Sequence, residues 1–143
     1  MSGVVVGVDG SAGAQAALTW AAREAKLRGS ALTLVSAWQL PAGSYGWPTL
    51  LPEVLDDFQA VAADQIDKAC TAAGSALDGL EVTGAVREGS AAKVLIEASE
   101  GADLLVVGTR GHGGFVGMLL GSVSAQCAHH SRCPLVIVPS DGE

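Results

Sequence analysis

The chain has 143 residues, enough for one domain around a single core. Hydrophobic residues make up 49% and charged residues 16%, a balance that excludes a disordered chain. Eight basic residues against fifteen acidic ones leave a net charge of −7, which argues against broad contact with the phosphate backbone of nucleic acid.

No apolar run approaches the ~20 residues that a spanning helix needs. The start of the chain lacks a basic segment followed by an apolar one, so no secretory signal is expected. Cys70, Cys127 and Cys133 are too few, and odd in number, for a disulfide framework; reduced thiols in the cytoplasm are expected. The 19 glycines follow neither a repeat nor a low-complexity tract, so they mark turns and close backbone approaches.

In chain order, Val4-Val5-Val6-Gly7-Val8 is a continuous β-branched run, as expected of a strand buried on both faces. Ser11 is placed to cap a helix in which Ala14, Ala17, Leu18, Ala21, Ala22 and Ala25 recur at helical spacing, with Gly29 as its stop. Leu32 to Trp38 reads as a second strand. The stretch from Gln39 to Thr49 holds Pro41, Gly43, Gly46 and Pro48 and reads as a loop. A long helix follows, with Leu51, Leu55, Phe58, Ala62, Ile66, Ala69 and Ala73 on one face.

Leu80 to Val86 reads as a third strand, interrupted by Gly84, and Ser90 is placed to cap a helix from Ala91 to Ser99. Ala102 to Gly108 (Ala-Asp-Leu-Leu-Val-Val-Gly) reads as a fourth strand of the same fully buried kind. A glycine-rich loop runs to Gly121, a last helix from Ser122 to Ser131, and a fifth strand from Leu135 to Val138. Strictly alternating strands and helices predict an α/β domain, a parallel sheet with helices on both faces, because parallel strands need crossovers. The whole chain, 1–143, is expected to be this one domain.

Ligands of open parallel sheets bind at the carboxyl ends of the strands. Two segments fall there: Val8-Asp9-Gly10-Ser11, and Gly108-Thr109-Arg110-Gly111-His112-Gly113-Gly114. Neither a Walker phosphate loop nor a GxGxxG dinucleotide fingerprint is present. What remains is Gly108-x-x-Gly111, nine residues, then Gly121-Ser122. Glycines at 108 and 111 would let backbone approach a ligand without a Cβ in the way. Gly121-Ser122 would open a helix whose free N–H groups suit a phosphate, with the Ser122 hydroxyl as an added donor or a metal-reaching oxygen. Thr109 to Ser140 contains no acidic residue, while Arg110 and Arg132 are basic. Asp9 is a turn residue by its Asp-Gly pairing; near a nucleotide it would accept hydrogen bonds from ribose or adenine.

Together these residues resemble the universal stress protein family. The matching pieces are Val4–Ser11 (VVVGVDGS), Asp103–Gly114 (DLLVVGTRGHGG), Leu120–Ser124 (LGSVS) and Cys133–Pro139 (CPLVIVP), in the expected order over nearly the whole chain. The Gly-x-x-Gly-x9-Gly-Ser element matches the family's ATP-binding subclass. The resemblance implies a single-domain Rossmann-like sandwich with a five-stranded parallel sheet in the order 3-2-1-4-5. It implies Asp9 and Ala37 near adenine and ribose, Val107, Gly108 and Gly111 along the nucleotide, and Gly121, Ser122 and Val123 at the phosphates. Arg110 is either a phosphate clamp or a solvated loop residue. Ala37 is smaller than the valine of some relatives, and Leu40 to Trp47 is the least family-like stretch. The resemblance further implies a homodimer through the last strand, an uncharged edge without protective features.

Other readings stand beside these. Cys127-x-His129-His130-x-x-Cys133 holds metal-ligand types, but the spacing matches no standard zinc pattern. Trp20 and Trp38 are expected in the core. Tyr45 and Trp47 are open to stacking on a base, covering a dimer seam, or packing. The function expected is a nucleotide-dependent regulatory or stress-response protein that binds ATP with Mg²⁺. The alternatives are a slow ATPase or nucleotidyl transferase, or a binder of another adenine nucleotide such as cyclic AMP. Against fast catalysis, the phosphate loop has no lysine, and His112 is its one plausible base.

Overall fold

The computed structural model describes residues 3–40, 52–109 and 120–139. Five strands alternate with helices: β1 (Val4–Gly7), α1 (Ala12–Arg28), β2 (Leu32–Trp38), α2 (Pro52–Ala73), β3 (Val82–Glu88), α3 (Ala91–Ala98), β4 (Leu104–Gly108), α4 (Ser122–His130) and β5 (Leu135–Val138), with a 3-10 turn at Gly74–Leu77. All pairings are parallel and the sheet order is β3-β2-β1-β4-β5. This is the α/β architecture and the strand order expected.

The central strand explains its own composition. Val4, Val5 and Val6 are all buried, because helices cover both faces of β1. Val4, Val6, Leu32, Leu34, Leu104 and Val106 meet α1 and α2 on one face. Val5, Val35, Leu105 and Val107 meet α3 and α4 on the other. A continuous apolar run is what two covered faces require.

Helix α1 lies close to the sheet because its buried stripe is mostly alanine: Ala14, Ala17, Ala21, Ala22 and Ala25, with Leu18. Ser11 caps it, its Oγ accepting from the Ala14 N–H. Gly29 ends it in the left-handed conformation (φ 65°), where an L side chain is strained. In α2, Ala62, Ile66 and Ala69 are buried and Leu55, Phe58 and Ala73 half-buried, as the helical spacing required; Leu51 lies outside the described residues.

Several boundaries differ from the sequence expectation. The third strand runs from Val82 to Glu88, not from Leu80 to Val86. The Leu80 N–H closes a turn on the Leu77 carbonyl instead. Gly84 does not interrupt the strand; Ile66 of α2 fills the space above it. The first strand stops at Gly7, although the Val8 N–H still reaches the Val35 carbonyl at 2.9 Å. The fourth begins at Leu104 because Asp103 closes on Gly3, its N–H on the Gly3 carbonyl and its Oδ2 on the Gly3 N–H, both at 2.9 Å. Ser90 holds the cap position of α3, but its side chain makes no capping bond. The last helix ends at His130. Trp20 and Trp38 are half-buried, Trp20 packed at the margin of the core.

Candidate functional site

The site is built where the sheet order reverses. From β1 the chain pairs with β2 on one side and β4 on the other, so the crossovers diverge and leave a crevice at the strand ends. Gly7, Val8 and Asp9 follow from β1, Val35 and Ala37 from β2, and Val107 and Gly108 from β4. Ser11 and Ala14 of the α1 start, Ala91 and Leu95 of α3, and Val123 and Ser124 of α4 complete the walls. The cleft spans about 540 Å³ of space, part of it open solvent. Its lining is mostly apolar, with Asp9, Ser11 and Ser124 as the polar members.

Asp9 fills the turn role read from its Asp-Gly pairing. Its Oδ1 accepts from the Ser11 N–H at 2.9 Å and from the Ser11 hydroxyl at 2.5 Å. The Ser11 Oγ in turn accepts from the Ala14 N–H at 3.1 Å. The carboxylate therefore holds the β1–α1 turn in shape, and it also faces the cleft. Among the described lining residues it is the one carboxylate.

The amino ends of three helices, α1, α3 and α4, meet this cleft through Ser11, Ala91 and Val123. None of the three has an acidic residue in its first turn. Acidic residues are favoured there in ordinary helices because they offset the positive dipole end. By contrast α2, away from the cleft wall, carries Glu53 in its first turn. The first N–H groups of a helix have no acceptor within it. The α1 start is already capped by Ser11 and carries Asp9 beside it, whereas α3 and α4 have no side-chain cap and bring free donors to the cleft, an environment for an anion.

The structure brings Asp9, Ala37, Val107, Gly108 and Val123 together around the cleft. Gly121 is buried as the cap residue of α4, and Ser122 is exposed just beyond the walls. Arg110 and Gly111 lie outside the described residues, as do Tyr45, Trp47, His112 and most of the Leu40 to Trp47 stretch. Arg132 is a correction. It precedes β5 at the amino edge of the sheet, opposite the cleft, and pairs there with Glu100. Contiguity in sequence had grouped it with the glycine element; the length of α4 carries it away. Leu95, Ala91, Val35 and Ser124 are wall residues that the sequence reading missed. Nothing local marks them, since α3 reaches the cleft through tertiary packing against β1, β2 and α4.

Among the described residues, no three His, Cys, Asp or Glu side chains come together to hold a metal ion. Among the described residues no helix is long and apolar enough to cross a membrane.

The family model described as the Universal stress protein family matches residues 1–139. The chain belongs to that family. A universal stress protein of Mycolicibacterium smegmatis is 38% identical over 99% of this chain, which covers 49% of that protein. The chain spans about half the length of the curated relatives it matches. Among solved structures, the universal stress protein UspA from Lactobacillus plantarum superposes with a TM-score of 0.80 at 23% identity, covering 96% of this chain and 97% of that one. A universal stress protein in complex with cAMP superposes with a TM-score of 0.71 at 28% identity, covering 99% and 98%.

Proposed function

We propose that this domain binds an adenine nucleotide in the crevice between β1, β2 and β4, ATP with Mg²⁺ foremost, and acts as a nucleotide-dependent regulatory module. The observation that carries the reading is the cleft itself. An apolar wall at Val35, Ala37, Val107 and Leu95 suits a planar base, and the amino ends of α3 and α4, with no side-chain cap and no acidic first turn, suit phosphates. Asp9 and Ala37 are assigned to the adenine and ribose, Val107, Gly108 and Gly111 to the length of the nucleotide, and Arg110 to the phosphates as a clamp. Gly121, Ser122 and Val123 are assigned to the phosphates. The residues present fit such a ligand. Mg²⁺ would shield the phosphate charges and be held chiefly by phosphate oxygens, with the Ser122 hydroxyl as the protein oxygen at hand.

Among the described lining residues there is no lysine for phosphoryl transfer, and the one carboxylate, Asp9, is engaged by Ser11; the assigned role is binding. Cyclic AMP is the second reading, supported by the 28% identical relative solved with it. One experiment separates the cases. The protein is purified without added nucleotide, denatured, and its released small molecules identified, alongside calorimetric titration with ATP and cAMP. Titration by ATP is the expected result, and cAMP alone would move the assignment. If neither titrates, and bulky residues at Gly111 and Gly121 change nothing, the reading is wrong.

We also propose that two copies pair through β5, in the cytoplasm. β5 lies at the end of the sheet, is half-buried throughout and carries no charge. The three cysteines are free thiols, which suits a reducing compartment. Light scattering at micromolar concentration tests the pairing; a monomer would overturn it.

A further inference from the structure

The two ends of the glycine element, residues 109 and 121, are tied to a single oxygen. The Thr109 carbonyl accepts the Gly121 N–H at 2.6 Å, and the Ser124 hydroxyl lies 2.7 Å from the same carbonyl. Ser124 is 2% exposed, and its Oγ is also 3.1 Å from the Gly121 carbonyl. Thr109 is held from the other side as well. Its N–H donates to the Val138 carbonyl at 3.0 Å and its hydroxyl to the same oxygen at 3.3 Å. One residue therefore links the carboxyl end of β4, the amino end of α4 and the end of β5.

We propose that Ser124 is a positioning residue for the phosphate end of the cleft, acting through the Thr109 carbonyl. This rests on the nucleotide reading above and deepens it. The N–H groups of Ser122, Val123 and Ser124 are the anion-facing donors of α4, and they serve only if the helix start is aimed at the cleft. Gly121 offers no side chain to cap α4, and no side-chain capping bond is made there. The aim is set instead by two donors from α4, the Gly121 N–H and the Ser124 hydroxyl, converging on one acceptor at the end of β4. A hydroxyl at 2.7 Å is an ordinary strong bond, and its loss leaves the Thr109 carbonyl with a single partner from α4. Ser124 touches the cleft wall, but its hydroxyl is spent on protein carbonyls and not held out to ligand.

The test uses Ser124→Ala, Ser124→Cys and Ser124→Thr, titrated calorimetrically with ATP and with adenosine, which lacks phosphate. Ser124→Ala is expected to weaken ATP about tenfold and adenosine less than twofold. Ser124→Thr, which keeps the hydroxyl, is expected to stay within about twofold of the parent for both. Ser124→Cys keeps the volume with a weak donor and is expected to fall between them; it carries the test if the alanine variant does not fold. Amide hydrogen exchange at Gly121 is expected to quicken in Ser124→Ala. Parental ATP affinity in both the alanine and cysteine variants overturns the proposal, as does equal weakening of ATP and adenosine. If the parent protein binds neither compound, the ATP reading falls and takes this inference with it.

Discussion

Gly108 and Gly13 touch backbone to backbone. A Cβ on Gly108 would lie 2.7 Å from the Gly13 carbonyl oxygen and 2.8 Å from its carbonyl carbon. The first turn of α1 thus rests directly on the last residue of β4. Glycine at 108 is required by this contact, before any ligand is considered. The sequence reading assigned that glycine to ligand approach; the structure adds a helix–strand contact that brings the start of α1 to the cleft.

Gly108→Ala should therefore destabilise the domain by about 3 kcal/mol, because backbone at both positions would have to move. Gly7→Ala makes the control. Its Cβ would meet Leu95 Cδ1 at 2.8 Å, the far end of a side chain that can turn aside, so a loss of about 1 kcal/mol is expected. Urea unfolding of the two variants measures the difference, and equal losses would contradict the contact argument.

Ser11→Ala should cost about 1 kcal/mol, also by urea unfolding, since it removes the cap of α1 and a donor to Asp9. A loss well below that would mean that another group takes over the Ala14 N–H.

Ala37→Leu should weaken nucleotide binding at least about tenfold, or about 1.4 kcal/mol, while leaving the unfolding midpoint unchanged. Ala37 lines the cleft from β2 and is half-buried at the edge of the core, so added carbon extends into the ligand space. Calorimetry with ATP and a thermal scan give the two readings.

Cys127 predicts a pH dependence. The thiol is fully buried, and burial first, then the nearby Cys133, pushes its pKa up from 9.0 to about 11. The folded protein then holds a proton that the unfolded chain releases earlier. The associated stability is complete below pH 9 and is lost as pH rises from about 9 to about 11. The loss should be on the order of 2 kcal/mol. Urea unfolding at pH 8 and pH 10.5 should show it, and Cys127→Ala should remove that part of the slope. An identical slope in both proteins would refute the assignment.

Much of this molecule could be read before its structure. Ser11, Gly29 and the alanine spacing between them define α1, because caps and helical periodicity are local properties. Leu32–Trp38 and Leu135–Val138 matched the observed strands at both ends. The third strand slipped by two residues because Leu80 belongs to a turn that closes on Leu77, and a turn of that kind leaves the same apolar pattern as a strand end.

The sequence by itself determined the alternation of strands and helices, the doubly covered central strand and the candidate glycine element, since each follows from neighbours along the chain. Which residues share the cleft was decided only by tertiary structure. Leu95 and Ala91 enter from α3, Arg132 leaves with the far end of α4, and Ser124 meets Thr109 across fifteen positions. The reason is geometric: a parallel sheet gathers the ends of distant strands at one edge, and the contacts made there leave no period or spacing in the sequence.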